Sequence, residues 1–96
     1  MLPMRFFASI SQESIFEVEN RFSPSATHGA DIRFHGVVRD REEGRAIKGI
    51  DYTFYDNMAL KELRRIGNEM EGQFPDHLAF VHHKVGFVAA GETSII

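Results

Sequence analysis

Apolar and polar positions along the chain switch between a period of two and a helical period, and each switch marks an element. Arg5 to Ile10 (Arg-Phe-Phe-Ala-Ser-Ile) is short, aromatic-rich and β-like. Ile15, Val18 and Phe22 then recur at helical spacing, which predicts a short helix over Gln12 to Arg21 capped by Ser11. Ser23-Pro24-Ser25 stops it, because the residue before a proline is disfavoured in the helical region. From Gly29 to Arg39, Ala30, Ile32, Phe34 and Val38 alternate with Asp31, Arg33, His35 and Arg39, the pattern of a half-buried strand. Gly36 interrupts the apolar face and suggests a bulge.

Asp40 to Arg45 reads as a charged loop with a turn glycine. Lys48 to Tyr55 is a second alternating strand with Ile50, Tyr52 and Phe54 on one face. Asp56 or Asn57 can cap the strongest helix, Met58 to Gly72 or Phe74, whose apolar stripe is Ala59, Leu63, Ile66 and Met70. Pro75 closes it. His77 to Val85 is a third strand of this type, with Ala79, Val81, His83 and Val85 on one side and Leu78, Phe80 and His82 on the other. Gly91 leads into Glu92-Thr-Ser-Ile-Ile96, which begins as a strand. The order strand, helix, strand, strand, helix, strand, strand predicts an α+β fold with a mainly antiparallel sheet, one long and one short helix. The connection through the long helix leaves room for one parallel pair.

With 96 residues, residues 1–96 form one domain, at the small end of the usual range. The 11 Lys+Arg against 14 Asp+Glu give a formal charge of −3, which removes the default case for nucleic acid as a partner. No cysteine is present, so disulfides, Cys-ligated metals and a thiol nucleophile are excluded for this chain. The longest apolar runs are a few residues, too short to span a membrane, and Met1 to Arg5 lacks the pattern of a signal peptide. A soluble, cytoplasmic domain is expected.

Two clusters bear chemistry. Arg39, Arg41 and Arg45 crowd a strand end beside Gly36 and Gly44, a composition suited to a phosphate or carboxylate. Composition alone favours the plainer reading, a solvated loop in which Arg41 and Arg45 pair loosely with Glu42 and Glu43. His82 and His83 are adjacent on a strand and point to opposite faces, so they do not chelate one metal together; His28, His35 and His77 lack metal-ligand spacing. No metal or cofactor is expected, and these histidines read as structural. There is no phosphate-binding glycine loop and no nucleophile elbow. Taken alone, these residues name no reaction.

Four segments in order carry a resemblance. Gly29-Ala-Asp-Ile-Arg-Phe-His-Gly-Val-Val-Arg39 with its polar loop, Tyr52-Thr-Phe-Tyr55 followed by Met58-Ala59, His83-Lys84-Val85-Gly86 and Gly91-Glu92 resemble the large, catalytic subunit of molybdopterin synthase. Thr53 and Lys84 stand where that family often has Glu and Arg. The resemblance implies an α/β-hammerhead-like fold and a homodimer of large subunits within a heterotetramer. It implies a small ubiquitin-like partner whose C-terminal thiocarboxylate donates sulfur to cyclic pyranopterin monophosphate. Arg39 matches the strand-end arginine of the substrate's anionic pocket, and Val37 and Val38 match the adjoining backbone positions. Family members continue through a segment bearing two active-site lysines, to which none of Lys48, Lys61 and Lys84 corresponds. The catalytic lysines are therefore expected beyond Ile96, in a chain incomplete relative to the family. The alternative is a non-catalytic dimerising or tail-binding relative.

Overall fold

A computed structural model describes residues 5–22, 26–53, 56–74 and 76–96. Met1 to Met4, the Ser23-Pro24-Ser25 stop, Phe54, Tyr55 and Pro75 lie outside the described residues, as do the capping side chains of Asp56 and Asn57. The elements run β1 (Phe6–Ser11), α1 (Ile15–Glu19), β2 (Gly36–Val37), β3 (Arg41–Glu42), β4 (Arg45–Ala46), β5 (Gly49–Tyr52), α2 (Asp56–Gln73), β6 (Ala79–Lys84), β7 (Gly86–Ala89) and β8 (Thr93–Ile95). A four-stranded sheet has the order β1-β6-β8-β2, and two ribbons pair β3 with β4 and β5 with β7. Only β1 with β6 is parallel among these pairs; the rest are antiparallel. The α+β expectation holds, with one long and one short helix.

The short helix begins later than its apolar spacing alone suggests. Ser14 is the cap: its Oγ accepts from the Glu17 N–H at 3.2 Å, within the sequence Ser14-Ile-Phe-Glu17. Ser11 ends β1 instead, where its carbonyl accepts from the Val85 N–H at 2.9 Å. Ile15 and Val18 bury the inner face of α1 against β6 and β8.

The long helix packs on β1, but through a stripe rotated from the predicted one. Ile66 is exposed, whereas Gly67 is buried between Leu63 and Met70. The reason is steric: a Cβ on Gly67 would lie 2.5 Å from Phe6 Cδ1 and 2.7 Å from its Cγ. Lacking one, the helix backbone sits directly on the Phe6 ring. The Arg5 N–H donates to Glu71 Oε1 at 3.0 Å and pins the last turns to the strand. On the outer face, Arg65 pairs with Glu62 at 2.5 Å and Glu69 at 2.6 Å.

On the other face of the large sheet, Phe80 stacks between Phe7 and Phe22, with centroids 5.1 and 4.5 Å away. Beside them His82 is 1% exposed. Its Nε2 donates to the Glu13 carbonyl at 3.2 Å, which leaves Nδ1 to accept from the Ser9 hydroxyl at 2.7 Å. His82 is thus a satisfied core histidine, as its sequence context suggests.

Three further expectations are corrected. The predicted strand over 29–39 shrinks to Gly36–Val37, with Ile32 and Phe34 exposed, because β8 reaches only far enough to pair with Gly36 and Val37. The charged loop at 40–45 is a β-hairpin, β3–β4, turning on Glu43 (φ 51°) and Gly44 (φ 78°). Two successive positive φ values form the primed turn that matches strand twist. Finally, Gly86 (φ 85°) breaks the chain between β6 and an additional strand, β7.

Candidate anion site at the strand end

Segment 89–92 fixes both sides of the hairpin's base. The Val38 N–H donates to the Glu92 carbonyl at 2.9 Å, and the Val38 carbonyl accepts from the Gly91 N–H at 2.8 Å. On the returning strand the Lys48 carbonyl accepts from the Ala90 N–H at 2.8 Å. Gly91 makes this possible with φ 88° and leaves the turn without a side chain. Val38 is buried at 2% exposure, so its side chain anchors the strand end in the core. Val37 faces solvent and pairs with Thr93 in β8.

Arg39 leaves this anchored point directly. Its side chain is 78% exposed, and Nη2 meets Glu42 Oε2 at 3.4 Å. Such a solvated pair is worth ~0–1 kcal/mol, so Glu42 holds the guanidinium only weakly. Within the hairpin Arg41 lies opposite Ala46 while Glu42 lies opposite Arg45. Successive pairs face opposite sides of a ribbon, so Arg41 and Arg45 do not converge. Arg39 and Arg45 flank Glu42, and Arg41 stands on the other face. The arginine-rich stretch is therefore a local, two-arginine feature set beside its own carboxylates.

The structure also brings separate segments of the sequence together. Gly36 to Arg39 meets Gly91-Glu92 through the Val38 hydrogen bonds. Tyr52 lies opposite Gly86 in the β5–β7 pair, and its ring meets His83 edge-on at 4.9 Å. His83 Nδ1 approaches the Lys84 carbonyl at 2.7 Å. The four segments singled out above thus form two contacting pairs.

Sequence reasoning missed the cross-link that holds the approach to β2. Glu19 Oε2 accepts from Arg33 at 3.3 Å and meets His35 Nε2 at 3.2 Å, while His35 Nδ1 meets Thr93 Oγ1 at 3.1 Å. The hydrogen bonds that Arg33 donates to Asp31 first, then to Glu19, stabilise its charged guanidinium. Glu19 and Thr93 lie far from Arg33 and His35 in sequence, and no local pattern announces their contact. Among the described residues no group of three or more His, Asp or Glu is placed to hold a metal ion. No helix among them is long and apolar enough to cross a membrane.

Comparison with known proteins supplies the family. A profile of the MoaE protein family matches residues 9–96. A molybdopterin synthase catalytic subunit of Pyrococcus abyssi is 39% identical over 72 residues, covering 75% of this chain and 49% of that protein. The Aspergillus fumigatus protein of the same name is 37% identical over 79 residues, covering 82% of this chain and 41% of its own length. One from Drosophila willistoni is 34% identical over 70 residues, covering 71% of this chain and 18% of that longer protein. The chain thus spans about half, or less, of the length of these curated relatives. With nearly all of its sequence matched, the chain belongs to the MoaE protein family.

Proposed function

We propose that this chain forms the substrate-facing part of a molybdopterin synthase catalytic subunit. In the whole protein, sulfur passes from the C-terminal thiocarboxylate of a small ubiquitin-like subunit to cyclic pyranopterin monophosphate. The observation that carries this reading is the 39% identity over 72 residues to a protein named for that activity. The assembly is a cytoplasmic heterotetramer built on a homodimer of large subunits, without nucleic acid and without a membrane.

Arg39 is the substrate-binding residue in this reading, contacting the pterin phosphate. Its exposed guanidinium at an anchored strand end supports the assignment, since a fork of donors on a fixed base suits an oxyanion. Both backbone groups of Val38 are engaged by Gly91 and Glu92, so Val38 contributes by holding that base rigid. Val37, on the exposed strand beside it, borders the bound substrate.

The test combines the chain with a thiocarboxylated small subunit and the pterin precursor, and measures molybdopterin formed and small subunit bound. Sulfur transfer supports the reading in full. Binding of the small subunit by these 96 residues without transfer fits both readings, the same result with the lysine-bearing remainder of a family member supplied selects the non-catalytic alternative, and failure to bind either partner overturns the proposal. In a full-length family member, Arg39→Ala is expected to cost about 1.5–3 kcal/mol in kcat/KM, the scale of one charge-assisted contact. Unchanged kinetics would remove Arg39 from the site.

A further inference from the structure

Ser9 and His82 are partners in the register of β1 with β6, so their side chains rise from the same face of the sheet. The Ser9 hydroxyl lies 2.7 Å from His82 Nδ1. The Glu13 carbonyl, 3.2 Å from Nε2, is an acceptor only, so it fixes the ring proton on Nε2 and leaves Nδ1 as a bare base facing Ser9. A hydroxyl held on one imidazole nitrogen, with the other nitrogen oriented by a third group, is the arrangement that activates a serine nucleophile. The partners differ in burial: His82 is 1% exposed, which holds the ring in place, whereas Ser9 is exposed. All three groups belong to this chain, and Ile96 meets the His82 backbone from the other side of β6.

The surroundings suit an acyl group. Two residues back in the same register, Phe7 stacks on Phe80. Phe7 and Ser9 share a face of β1, so this aromatic pair forms an apolar shelf beside the hydroxyl. A negative charge also stands near the ring. The Glu13 carboxyl is held below its ordinary 4.5, by the Arg21 hydrogen bond first and by His82 as a smaller cause, so it remains ionised where an imidazolium would form. The neighbouring serines are built differently. Ser11 Oγ accepts from the Glu13 N–H and Ser14 Oγ from the Glu17 N–H, each at 3.2 Å, which serves the turn and the helix cap.

From this geometry we propose that Ser9 is a nucleophilic acyl-acceptor site, with His82 as its base and an activated ester of a small apolar acid as its donor. Ser9 Oγ forms a bond to the ester carbonyl carbon while its proton passes to His82 Nδ1. The bond from that carbon to the leaving oxygen then breaks. The leaving group departs with the electron pair and takes the proton back from Nδ1, which restores the neutral ring and leaves an acyl-serine. The inference stands on the Ser9, His82 and Glu13 geometry and does not depend on the sulfur-transfer reading.

The test incubates the 96-residue chain with p-nitrophenyl butyrate and locates the butyryl group by peptide mass spectrometry. Ser9 is expected to be acylated about a hundredfold or more faster than Ser11 and Ser14, the scale of general-base assistance. Ser9→Ala should remove that fast label. His82→Gln keeps a donor for Glu13 and an acceptor for Ser9 but has no basic nitrogen, and with its fold confirmed by circular dichroism it should slow Ser9 acylation by a similar factor. In the unaltered protein, nitrogen NMR of the imidazole should show the proton on Nε2 and Nδ1 bare, a readout that needs no variant. Equal labelling of Ser9, Ser11 and Ser14 would overturn the inference. So would a proton found on Nδ1 of the neutral ring, or undiminished Ser9 acylation in folded His82→Gln.

Discussion

Two glycines of the long helix experience opposite surroundings, and replacing each with alanine separates packing from propensity. Alanine is favoured over glycine in a helix by about 0.8–1 kcal/mol, part of which comes from the unfolded chain. At Gly72 no atom lies within 4 Å of the added Cβ, so only that gain operates. Gly72 is in the second-last position of α2, where fraying reduces the benefit, and Gly72→Ala is expected to stabilise by about 0.3–0.8 kcal/mol. At Gly67 the new methyl lies 2.5 Å from Phe6 Cδ1, 2.7 Å from Cγ and 3.1 Å from Cβ. Two of those atoms are at the root of the side chain, so rotating the ring does not clear them all. The helix must lift from β1, and overpacking of this kind costs about 1–3 kcal/mol. Subtracting the propensity gain, Gly67→Ala is expected to destabilise by about 0.5–2 kcal/mol. Urea unfolding followed by far-UV circular dichroism measures both midpoints. If Gly67→Ala raised the midpoint as much as Gly72→Ala, the close contact between α2 and Phe6 would be refuted.

His82→Ala removes a fully buried ring and two hydrogen bonds, and is expected to cost about 2–4 kcal/mol in urea unfolding; a loss below half a kcal/mol would show the ring to be solvated. Gly44→Ala places a Cβ at φ 78° in the hairpin turn and should destabilise by about 1–2 kcal/mol, read from the same unfolding curves; no change would mean that the turn is not of the primed type. The Glu62 carboxyl is held below its ordinary 4.5 by its hydrogen bond to Arg65. The unfolded chain therefore takes up that proton first as the pH falls. The stabilisation is present above pH 4.5 and is lost as pH drops through the lower folded value. Helix unfolding from pH 6 to 2 should accordingly be shallower in Glu62→Gln than in the parent; identical slopes would show that Arg65 makes no such bond in solution.

Local chemistry legible in the sequence accounts for a good part of this protein. The helix α2 follows from its apolar spacing and its charged outer face. The α+β class follows from the succession of periods, and the motif segments stand in the order that points to the MoaE family. The Ser14-Ile-Phe-Glu17 cap and the Glu43-Gly44 turn were equally local, and a closer reading of their spacing finds both. What the sequence did not hold are relations set across the fold. Nothing near residue 67 in the chain specifies that Phe6 lies under it, so Gly67 reads as a weak point of the helix and not as its contact. Segment 30–35 has the alternation of a strand, but a ladder needs a neighbour, and only the course of β8 decides where one exists. The likeness of Arg39 to a family residue could be read from the chain. Its anchoring by Gly91 and Glu92, more than fifty positions away, was decided by the tertiary structure, because backbone hydrogen bonds between distant strands leave no local signature in side-chain order.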